Sequence, residues 1–563
     1  MATEYEIRKH FTQRLSQMDS DREKWRLHWQ ELQEYILPEH GFGLSGSSTA
    51  TEQLDGGKKR SKILDNTAGK AVNVLAAGMQ SGLTSPSRPW FRLTLADADL
   101  MNFRPVKEWL QRVEEQIRYV FARSNVYRSL HMDYLEIGTF GTAAQIVLED
   151  FQRGIHCRPF TIGEYWLGVN HMLEVDTFYR SYWATPDQLI GQFGKDRVSQ
   201  SVQRAYDNKQ STLVEVIHAI EPNDDRLVLP EVRGKKFRSV YFERRGETDQ
   251  LLRVGGFDDF PIQSPRWLVV GGKVYGASCG MENLGDIKML QKINEKQLIN
   301  LDKALEPPLK APSSLKNDVV NTVPGGITYA DELSGRDAFG PLYNVPVLVN
   351  EAEAKIANVQ DRIKRGFFSD LFLMLANLDR RNMTATEVAE RHEEKLLMLG
   401  PVLERLDGEL LDPLVDRTFS ILARAKMLPP PPPEIAGASL DVEYISVLAQ
   451  AQKMVAVTGL QQFSGFVGSL GAVRPEVFDN VDFDRMVEVY ADSIGVPADI
   501  VRDADEVQQI RAAKQKQEQM AQQAAMAQQM AQGAKTLSEA DLSGNNALAV
   551  LTGRQPGITP PPN

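Results

Sequence analysis

Cysteine is scarce in this sequence, since only Cys157 and Cys279 occur among 563 residues. Two isolated cysteines are too few for a disulfide framework or for a structural zinc site of the usual spacing. The eight histidines also never fall at metal-ligand spacing. We therefore expect a chain that folds in a reducing compartment without a metal or other cofactor.

An excess of basic charge is also missing. The chain has 64 Lys and Arg against 75 Asp and Glu, a formal net charge of −11. Proteins that wrap nucleic acid by bulk electrostatics usually carry a net basic face. Any contact with DNA is therefore expected to be local.

Long apolar runs are absent as well. The first residues, MATEYEIRKHFTQRL, lack the apolar core of a signal peptide. No run approaches the roughly 18 apolar residues of a membrane span. The sequence therefore predicts no membrane contact and a chain that is cytoplasmic when it is made.

Motifs for nucleotide or zinc chemistry are missing or lack their context. There is no Walker A sequence, and His392-Glu393 lacks the second histidine of H-E-x-x-H. Residues 41–46, GFGLSG, fit G-x-G-x-x-G, but no apolar strand precedes them, which favours a flexible loop. Asp97 and Asp99 are better explained as a solvated loop than as metal ligands.

One motif keeps an enzyme hypothesis open. Residues 276–280, GASCG, fit the nucleophile elbow G-x-S-x-G around Ser278. A serine hydrolase needs a later general base, and His392 is the only histidine that follows. The competing interpretation is a tight turn before a helix.

The elements that are present predict an α+β protein of roughly three or four structural units. Helical spacing occurs over 4–36, 64–83 and about 103–150, and alternating segments indicate strands between 155 and 280. The strand-like segments are RPFTIGEYWLGV, STLVEVIHAI, KFRSVYFE and RWLVVGGKVYG.

Two long helices follow residue 280. The first opens at Asn283, a good N-cap residue, and stops at Pro307 with a narrow apolar stripe. Its stripe consists of Leu284, Ile287, Leu290, Leu298, Leu301 and Leu305. The second opens at Asn350 with Glu353 three residues on, which resembles a capping box. The two helices bracket a Pro- and Gly-punctuated lobe.

The C-terminal third is mainly helical in pattern. Residues 384–387, TATE, form a capping box, and Pro401 and Pro413 would kink the helix that follows. Pro429 to Pro433 form a rigid spacer or, alternatively, a ligand for a partner groove. Residues 439–511 again have helical patterns, and 506–532 are rich in Gln, Ala and Met with strong helix propensity.

Four segments together resemble a known family. They are GLTSPSRPWFRL (82–93), YLEIGTFGTAAQIV (134–147), VYGASCGMENLGDIKMLQKIN (274–294) and MTATEVAER (383–391). In this order they resemble the head-to-tail connector, or portal, proteins of short-tailed double-stranded DNA bacteriophages, over roughly residues 5–510. Such proteins form a ring, most often of twelve copies, at one capsid vertex, and DNA passes through the ring during packaging and ejection.

The resemblance implies a portal-like architecture: a mixed α/β wing, two long stem helices bracketing a small α/β clip, and an α-helical crown with a helical tail. The implied wing covers residues 1–282, the two stem helices cover 283–305 and 350–366, and the clip between them covers 306–349. The tunnel loop covers 367–383, and the kinked wing helix covers 384–428. The crown covers 429–505, the tail helix, which could form a barrel of copies, covers 506–535, and residues 536–563 are expected to be disordered. It also implies a virion location and, as partners, further copies of the chain, DNA without sequence specificity, the terminase or packaging motor, capsid and scaffolding proteins, and tail adaptors.

The pattern of the residues agrees with a ring. A helix with one narrow apolar stripe packs well when identical helices sit side by side. Twelve copies at −11 would carry about −132, so DNA would meet mostly repulsive walls with few basic contacts.

The candidates for those contacts are five cations near the second stem helix. They are Arg362, Lys364, Arg365, Arg380 and Arg381, which would contact phosphates rather than bases. The alternative is that they are solvated or pair with acidic neighbours such as Asp361, Asp370 and Asp379.

Other motif residues are expected to be structural. Pro86 and Pro89 predict a rigid corner between a helix ending near Leu83 and the strand-like WFRLTL. Trp90 and Phe91 are expected to anchor this corner in the wing core rather than against the next subunit. Thr384, Thr386 and Glu387 are expected to open the long wing helix.

The sequence thus favours a ring protein without enzymatic activity. Two hypotheses from other classes remain: a cytoplasmic hydrolase that uses Ser278, and a scaffold that oligomerises through its Gln/Ala/Met tail alone.

Overall fold

The structure is a computed structural model that describes most of the 563-residue chain. The described residues are 3–44, 62–95, 100, 103–224, 230–246, 249–305, 309–310, 340–341, 349–373, 399–435, 440–445, 463–470, 474–494 and 504–538. Outside them lie most of the predicted clip and of the tunnel loop, Asp97, Asp99, Thr384, Thr386, Glu387, His392 and the tail beyond Ser538.

Helices form most of the described chain. They are α1 (Glu4–Tyr35), α2 (Thr67–Leu83), α3 (Arg104–Arg123), α4 (Val126–Phe140), α5 (Pro186–Phe193), α6 (Gln200–Asp207), α7 (Cys279–Leu305), α8 (Val349–Gly366), α9 (Asp412–Arg424), α10 (Phe483–Ile494) and α11 (Ala504–Ser538). Residues 369–373, 399–406 and 463–470 are also helical, and 3-10 turns cover Lys195–Arg197, Pro230–Val232, Pro433–Ile435 and Pro475–Asn480. Among the described helices, none is long and apolar enough to cross a membrane.

The strands form four sheets. They are β1 (Phe91–Leu95), β2 (Ala144–Asp150), β3 (Gly154–Phe160), β4 (Tyr165–Val169), β5 (Val175–Ala184), β6 (Val214–Pro222), β7 (Phe237–Glu243), β8 (Arg253–Phe257), β9 (Ile262–Gln263), β10 (Leu309–Lys310), β11 (Gly340–Pro341) and β12 (Leu440–Tyr444). The orders are β4-β5-β6-β7-β8, β3-β2-β9, β1-β12 and β10-β11, and the described strands all pair antiparallel. The mixture of helices and sheets confirms the α+β prediction.

The long first helix begins at a capping box. The Thr3 side chain accepts a hydrogen bond from the Glu6 backbone N–H, and the Glu6 carboxylate accepts one from the Thr3 N–H. Its first apolar residues, Ile7, Phe11 and Leu15, cover one face of the five-stranded sheet. Apolar residues of α5 and α6 belong to a separate cluster with β5 and β6, so the sheet is covered by helices.

The main core joins α2, α3 and α4 to the pair α7 and α8. It is one continuous cluster that includes residues of α2, α3, α4, β1, α7, α8 and α9. Cys157 and Cys279 are buried in it as free thiols, and burial raises the pKa of both thiols. The chain divides into two compact units, Met1–Asp482 and Phe483–Asn563. Within the second unit, Arg511 of α11 donates two hydrogen bonds of 2.6 and 2.7 Å to the Asp484 carboxylate of α10.

The proline corner has the structure that the sequence predicted. Helix α2 ends at Leu83 and β1 begins at Phe91, with Pro86 and Pro89 exposed between them. Trp90 is 1% exposed and Phe91 is 0% exposed. Trp90 stacks on Phe121 of α3 with ring centroids 6.0 Å apart. Both aromatics therefore lie in the main core of the subunit itself.

Several local predictions were wrong. The segment 266–276, predicted as a strand, forms only the isolated bridges Thr142 to Arg266 and Leu268 to Ala277, because Gly271 turns the chain at φ +64°. Residues 440–444, predicted as helical, form β12, which pairs with β1 in the register Phe91 to Tyr444. The helical prediction for 103–150 holds only to Phe140, and α5 and α6 were not predicted at all.

The starts of the two long helices also differ from the predictions. Helix α7 begins at Cys279, and the Asn283 amide, predicted as its N-cap, lies inside the helix and donates to the Cys279 carbonyl. Helix α8 begins at Val349 and contains Asn350. At the other end of the chain, α11 continues to Ser538, so residues 536–538 are helical rather than disordered.

The helix before the polyproline run contains an irregular turn. Residues 399–406 are α-helical, Asp407–Leu411 form a π-helical turn, and α9 follows with Pro413 in its first turn. Proline cannot donate the backbone hydrogen bond that a continuous α-helix needs, which accounts for an irregularity at this place. The kink predicted at Pro413 is therefore present as a π turn.

Candidate functional site

The paired helices α7 and α8 form the candidate site. They pack through their apolar faces, since Ile287 and Leu290 of α7 and Val359 and Ile363 of α8 are all 0% exposed and belong to the main core. Gly366 at the end of α8 lies so close to Asn283 of α7 that a Cβ atom on the glycine would be 2.0 Å from the amide oxygen. The proximal halves of the two helices are therefore one packed unit with the wing.

A polar clamp fixes both helices to the segment before α2. The Gln291 Oε1 accepts hydrogen bonds from the Leu64 and Asp65 backbone N–H groups at 2.7 and 2.9 Å. The Gln360 Nε2 of α8 donates to the Asp65 Oδ2 at 2.7 Å. Partial burial alone would raise the pKa of the Asp65 carboxyl, but hydrogen bonds from Thr67 and Gln360 outweigh this effect and lower the pKa. Asp65 therefore holds α8 through its carboxylate and α7 through its backbone N–H and carbonyl groups.

The distal half of α7 has a different surface. Leu284, Ile287 and Leu290 of the predicted stripe are buried, whereas Leu298, Leu301 and Leu305 are 52, 44 and 72% exposed. Exposed leucines spaced along one helix are costly in water and are typical of a surface that another helix covers.

The predicted cations of α8 have different environments. The Arg362 guanidinium pairs with the Asp286 carboxylate of α7, although half of its side chain remains exposed. The Lys364 Nζ lies 3.7 Å from the Asp361 Oδ1 one turn earlier. Arg365 is exposed, and among the described residues no carboxylate lies within ion-pair distance of it. Arg380 and Arg381 lie outside the described residues.

The segment after α8 is anchored where the sequence predicted the start of a tunnel loop. Phe367, Leu371 and Phe372 are at most 2% exposed and belong to the main core. Phe372 packs on Gly78 of α2, where a Cβ atom would lie 2.2 Å from the phenyl ring. Between these residues Phe368 has φ +54°, a left-handed conformation that is uncommon for an aromatic residue. Phe367, Leu371 and Phe372 therefore anchor this segment in the main core, while Leu373 after them is 51% exposed.

The proposed nucleophile Ser278 has a structural role. It is 0% exposed, its Oγ donates a hydrogen bond to the Thr139 carbonyl at 2.6 Å and accepts one from the Met281 N–H at 3.0 Å. Ser278 is thus the N-cap of α7, and its hydroxyl proton is already engaged. A substrate carbonyl cannot reach this oxygen without unfolding the turn, which favours the tight-turn interpretation.

The other weak motifs also have local explanations. Gly41 and Gly43 have φ values of +84° and +63° in the loop after α1, where no strand precedes them. Within the described ranges, no group of three or more His, Cys, Asp or Glu side chains is placed to hold a metal ion.

The residues that join α7 and α8 to the segment before α2 were not predicted from the sequence. Gln291 follows Leu284 and Ile287 at the spacing of the buried stripe, so a polar residue on that face was a usable signal. Asp65, Asp286 and Gln360 carry no comparable signal, because their partners are distant in sequence.

Comparisons with known proteins identify the family of this chain. The sequence model described as "Bacteriophage head to tail connecting protein" matches residues 8–501. The chain is 42% identical to the "Probable portal protein" of Bordetella phage BPP-1 over 554 residues, which are 98% of this chain and 99% of that protein. It is 44% identical to the "Portal protein" of Salmonella phage epsilon15 over 541 residues, 95% of this chain and 96% of that protein. The chain therefore belongs to the family of bacteriophage head to tail connecting proteins.

Proposed function

We propose that this chain is the portal subunit of a phage, a virion protein that assembles into a ring at one capsid vertex and forms the channel for DNA packaging and ejection. The observation that carries the proposal is its identity of 42 and 44% with two portal proteins over nearly the full length of all three chains.

The paired helices support a ring. We assign α7 and α8 to the stem around the channel, with α7 beginning at Cys279. The exposed Leu298, Leu301 and Leu305 then face the stem of a neighbouring copy. Contacts between different faces of adjacent subunits close a ring when the rotation closes. Twelve copies remain our expectation for the number.

The outer regions of the subunit follow from the same assignment. The wing consists of the sheets and helices up to α7, and residues 306–349 form the clip that meets the packaging motor and later the tail adaptors. We place the boundary between wing and crown after Tyr444 rather than at residue 429, because β12 pairs with β1 and the Trp109 Nε1 donates to the Pro429 carbonyl at 3.0 Å. The crown then faces the capsid interior and the scaffolding proteins, and α11 extends it as a barrel of copies.

The contacts with DNA are few in this proposal. Arg365 is the best candidate among the described cations, since Arg362 and Lys364 have acidic neighbours within one helix turn or on α7. The net charge of −11 per copy keeps the remaining wall repulsive, so DNA moves without being held. We propose the tunnel loop after residue 373, including Arg380 and Arg381, as the second place of contact.

Native mass spectrometry and negative-stain images of the purified chain test the ring. A closed ring of a single copy number is expected, and a monomer or dimer under all assembly conditions would contradict the proposal. Deletion of residues 506–563 separates the portal from the tail-driven scaffold. Rings should survive this deletion if the wing and stem drive assembly, whereas loss of every oligomer would favour the scaffold.

A further inference from the structure

A cavity of about 830 Å³ lies beside α9, away from the stem pair. Its apolar wall is built by Trp109 of α3, Phe260, Phe419 and the run Pro429–Pro431. This volume is in the range of sites that enclose several side chains of a ligand. The proposed ring contacts and DNA channel do not use this cavity.

The proline wall of the cavity is held in place. The indole Nε1 of Trp109 donates a 3.0 Å hydrogen bond to the Pro429 carbonyl, and Ile435 beyond the run is buried in the core. Prolines have no N–H group, so this wall offers a ligand only carbonyl acceptors and apolar rings.

A buried cation lies on the opposite wall. The Arg417 side chain is 4% exposed, and its Nε and Nη1 have no hydrogen-bond partner among the described residues. The nearest Asp259 oxygen is 3.9 Å from Nη1, which is too long for a hydrogen bond, and the same oxygen lies 3.5 Å from Arg424. A buried guanidinium that lacks hydrogen-bond acceptors is costly, and the carboxylate of a ligand would supply a charge-assisted acceptor to one of its nitrogens.

The composition of the cavity restricts the ligand. Asp259, Asp416 and Lys426 also line it, so together with Arg417 the charges of the lining balance and do not attract a polyanion such as a phosphate backbone, and the apolar wall gives no support to a small inorganic anion. A peptide combines what the two walls require, because it offers N–H donors to proline carbonyls, apolar side chains to the aromatic wall and a carboxylate to Arg417.

We propose that this cavity binds an extended segment of a partner protein, with a Glu or Asp carboxylate on Arg417 and a flanking aromatic or aliphatic side chain against Phe260, Phe419 and the prolines. Residues 429–431 thereby form one wall of a peptide site in addition to their role as a spacer.

The test measures binding of two fluorescein-labelled peptides to the assembled wild-type protein by fluorescence anisotropy. The first is acetylated Phe-Leu-Glu-Phe amide, and the second has Gln in place of Glu. We expect saturable binding of the Glu peptide and at least tenfold weaker binding of the Gln peptide, since charge-assisted hydrogen bonds are the stronger class. Equal binding of the two peptides, or no saturable binding of either at millimolar concentration, would overturn the proposal.

Two variants locate the site. Arg417→Met should bind both peptides as weakly as wild type binds the Gln peptide, and Ser420→Trp should block the cavity sterically, since Ser420 lines the cavity one helix turn after Arg417. Unchanged binding in a folded Ser420→Trp protein would place the peptide elsewhere. Binding to unassembled subunits but not to assembled protein would show that a neighbouring copy covers the cavity, which would also overturn the proposal.

Discussion

Gly141 and Gly276 meet backbone to backbone at the junction of α4, the turn before β2 and the segment that leads into α7. A Cβ atom on Gly141 would lie 2.2 Å from the Gly276 carbonyl oxygen, and one on Gly276 would lie 2.4 Å from the Gly141 oxygen. The Gly276 N–H donates to the Thr142 Oγ1 at 2.9 Å. Two of the four segments that carry the family resemblance thus contact each other here.

Replacement of Gly141 by Ala is expected to be strongly destabilising. The φ of +81° is unfavourable for alanine, and the new methyl group would overlap a backbone that cannot move aside. We expect a loss of about 3 kcal/mol in the free energy of unfolding, measured by urea denaturation. Gly271→Ala is the matched control, because Gly271 has φ +64° with nothing within 4 Å of the added methyl, and should cost only about 1 kcal/mol. Equal losses in both variants would refute the backbone contact.

The packing of Phe372 on Gly78 predicts coupled substitutions. Phe372→Ala should cost about 3 kcal/mol, because it leaves a cavity under residues 367–373. Gly78→Ala should also destabilise the chain, because the methyl group displaces the phenyl ring. The double variant should lose clearly less than the sum of the two single losses in a double-mutant cycle of unfolding free energies. Strict additivity would mean that the two residues do not contact each other in solution.

The raised pKa of Asp407 leads us to expect that the stability of the fold depends on pH. Burial, followed by the charges of Asp412 and Glu404, raises the pKa of the Asp407 carboxyl from 3.8 to about 7. The folded chain therefore holds this proton more tightly than the unfolded chain, and the contribution of Asp407 to stability is lost as the pH rises from about 4 to about 7. The slope contributed by one such group is at most about 1.4 kcal/mol per pH unit.

The Asp407→Asn variant isolates this contribution. Asp133 and Glu164 also have pKa values raised by burial, so the wild-type slope includes them and only the difference between variant and wild type is informative. Urea denaturation should show the variant more stable than wild type at pH 8 and nearly equal to it at pH 4. A difference that does not change with pH would contradict the raised pKa.

Substitution of the distal leucines of α7 should impair ring assembly without unfolding the subunit. Substitution of Leu298, Leu301 and Leu305 by Ser should reduce ring formation in native mass spectrometry, while the circular dichroism of the subunit stays close to wild type, because all three side chains are exposed within the subunit. Leu284→Ser on the same helix is the contrasting variant, since Leu284 is 7% exposed and its substitution should destabilise the fold itself. Normal rings from the triple variant would remove the stem contact from the proposal.

The two arginines of α8 predict different outcomes. Arg365→Gln should lower the affinity of assembled rings for duplex DNA and reduce its dependence on salt, because a phosphate contact releases counterions. Arg362→Gln should mainly affect stability, because it leaves Asp286 without its cation. The measurement is DNA binding at 50 and 200 mM salt in parallel with unfolding. Identical salt slopes for wild type and Arg365→Gln would exclude Arg365 as a phosphate contact.

Local patterns predicted the elements whose signals are local. The apolar spacing of α1, the proline corner before β1 and the narrow stripe of α7 all occur where the sequence indicated them. The start of α7 was misplaced because Asn283 and Ser278 are both good capping residues, and only the hydrogen bond that the Ser278 Oγ accepts from the Met281 N–H shows which one is used.

Long-range relationships escaped the sequence analysis. Strand β12 was assigned to a helix because its partner β1 lies some 350 positions earlier, and pairing rather than local pattern decides its conformation. The cation candidates of α8 are all exposed, but the sequence had no means of separating Arg362 from Arg365, since Asp286 lies on another helix.

The two shielded thiols make this chain a convenient host for spectroscopic reporters. Cys157 and Cys279 are each 1% exposed, and burial keeps both protonated at neutral pH, so neither competes for a thiol-reactive dye or spin label. A single cysteine introduced at the exposed position of Leu298 or Arg365 would then be labelled selectively without removal of the native cysteines. Distances between labels on neighbouring copies would report the symmetry of the assembly and its breathing during DNA passage.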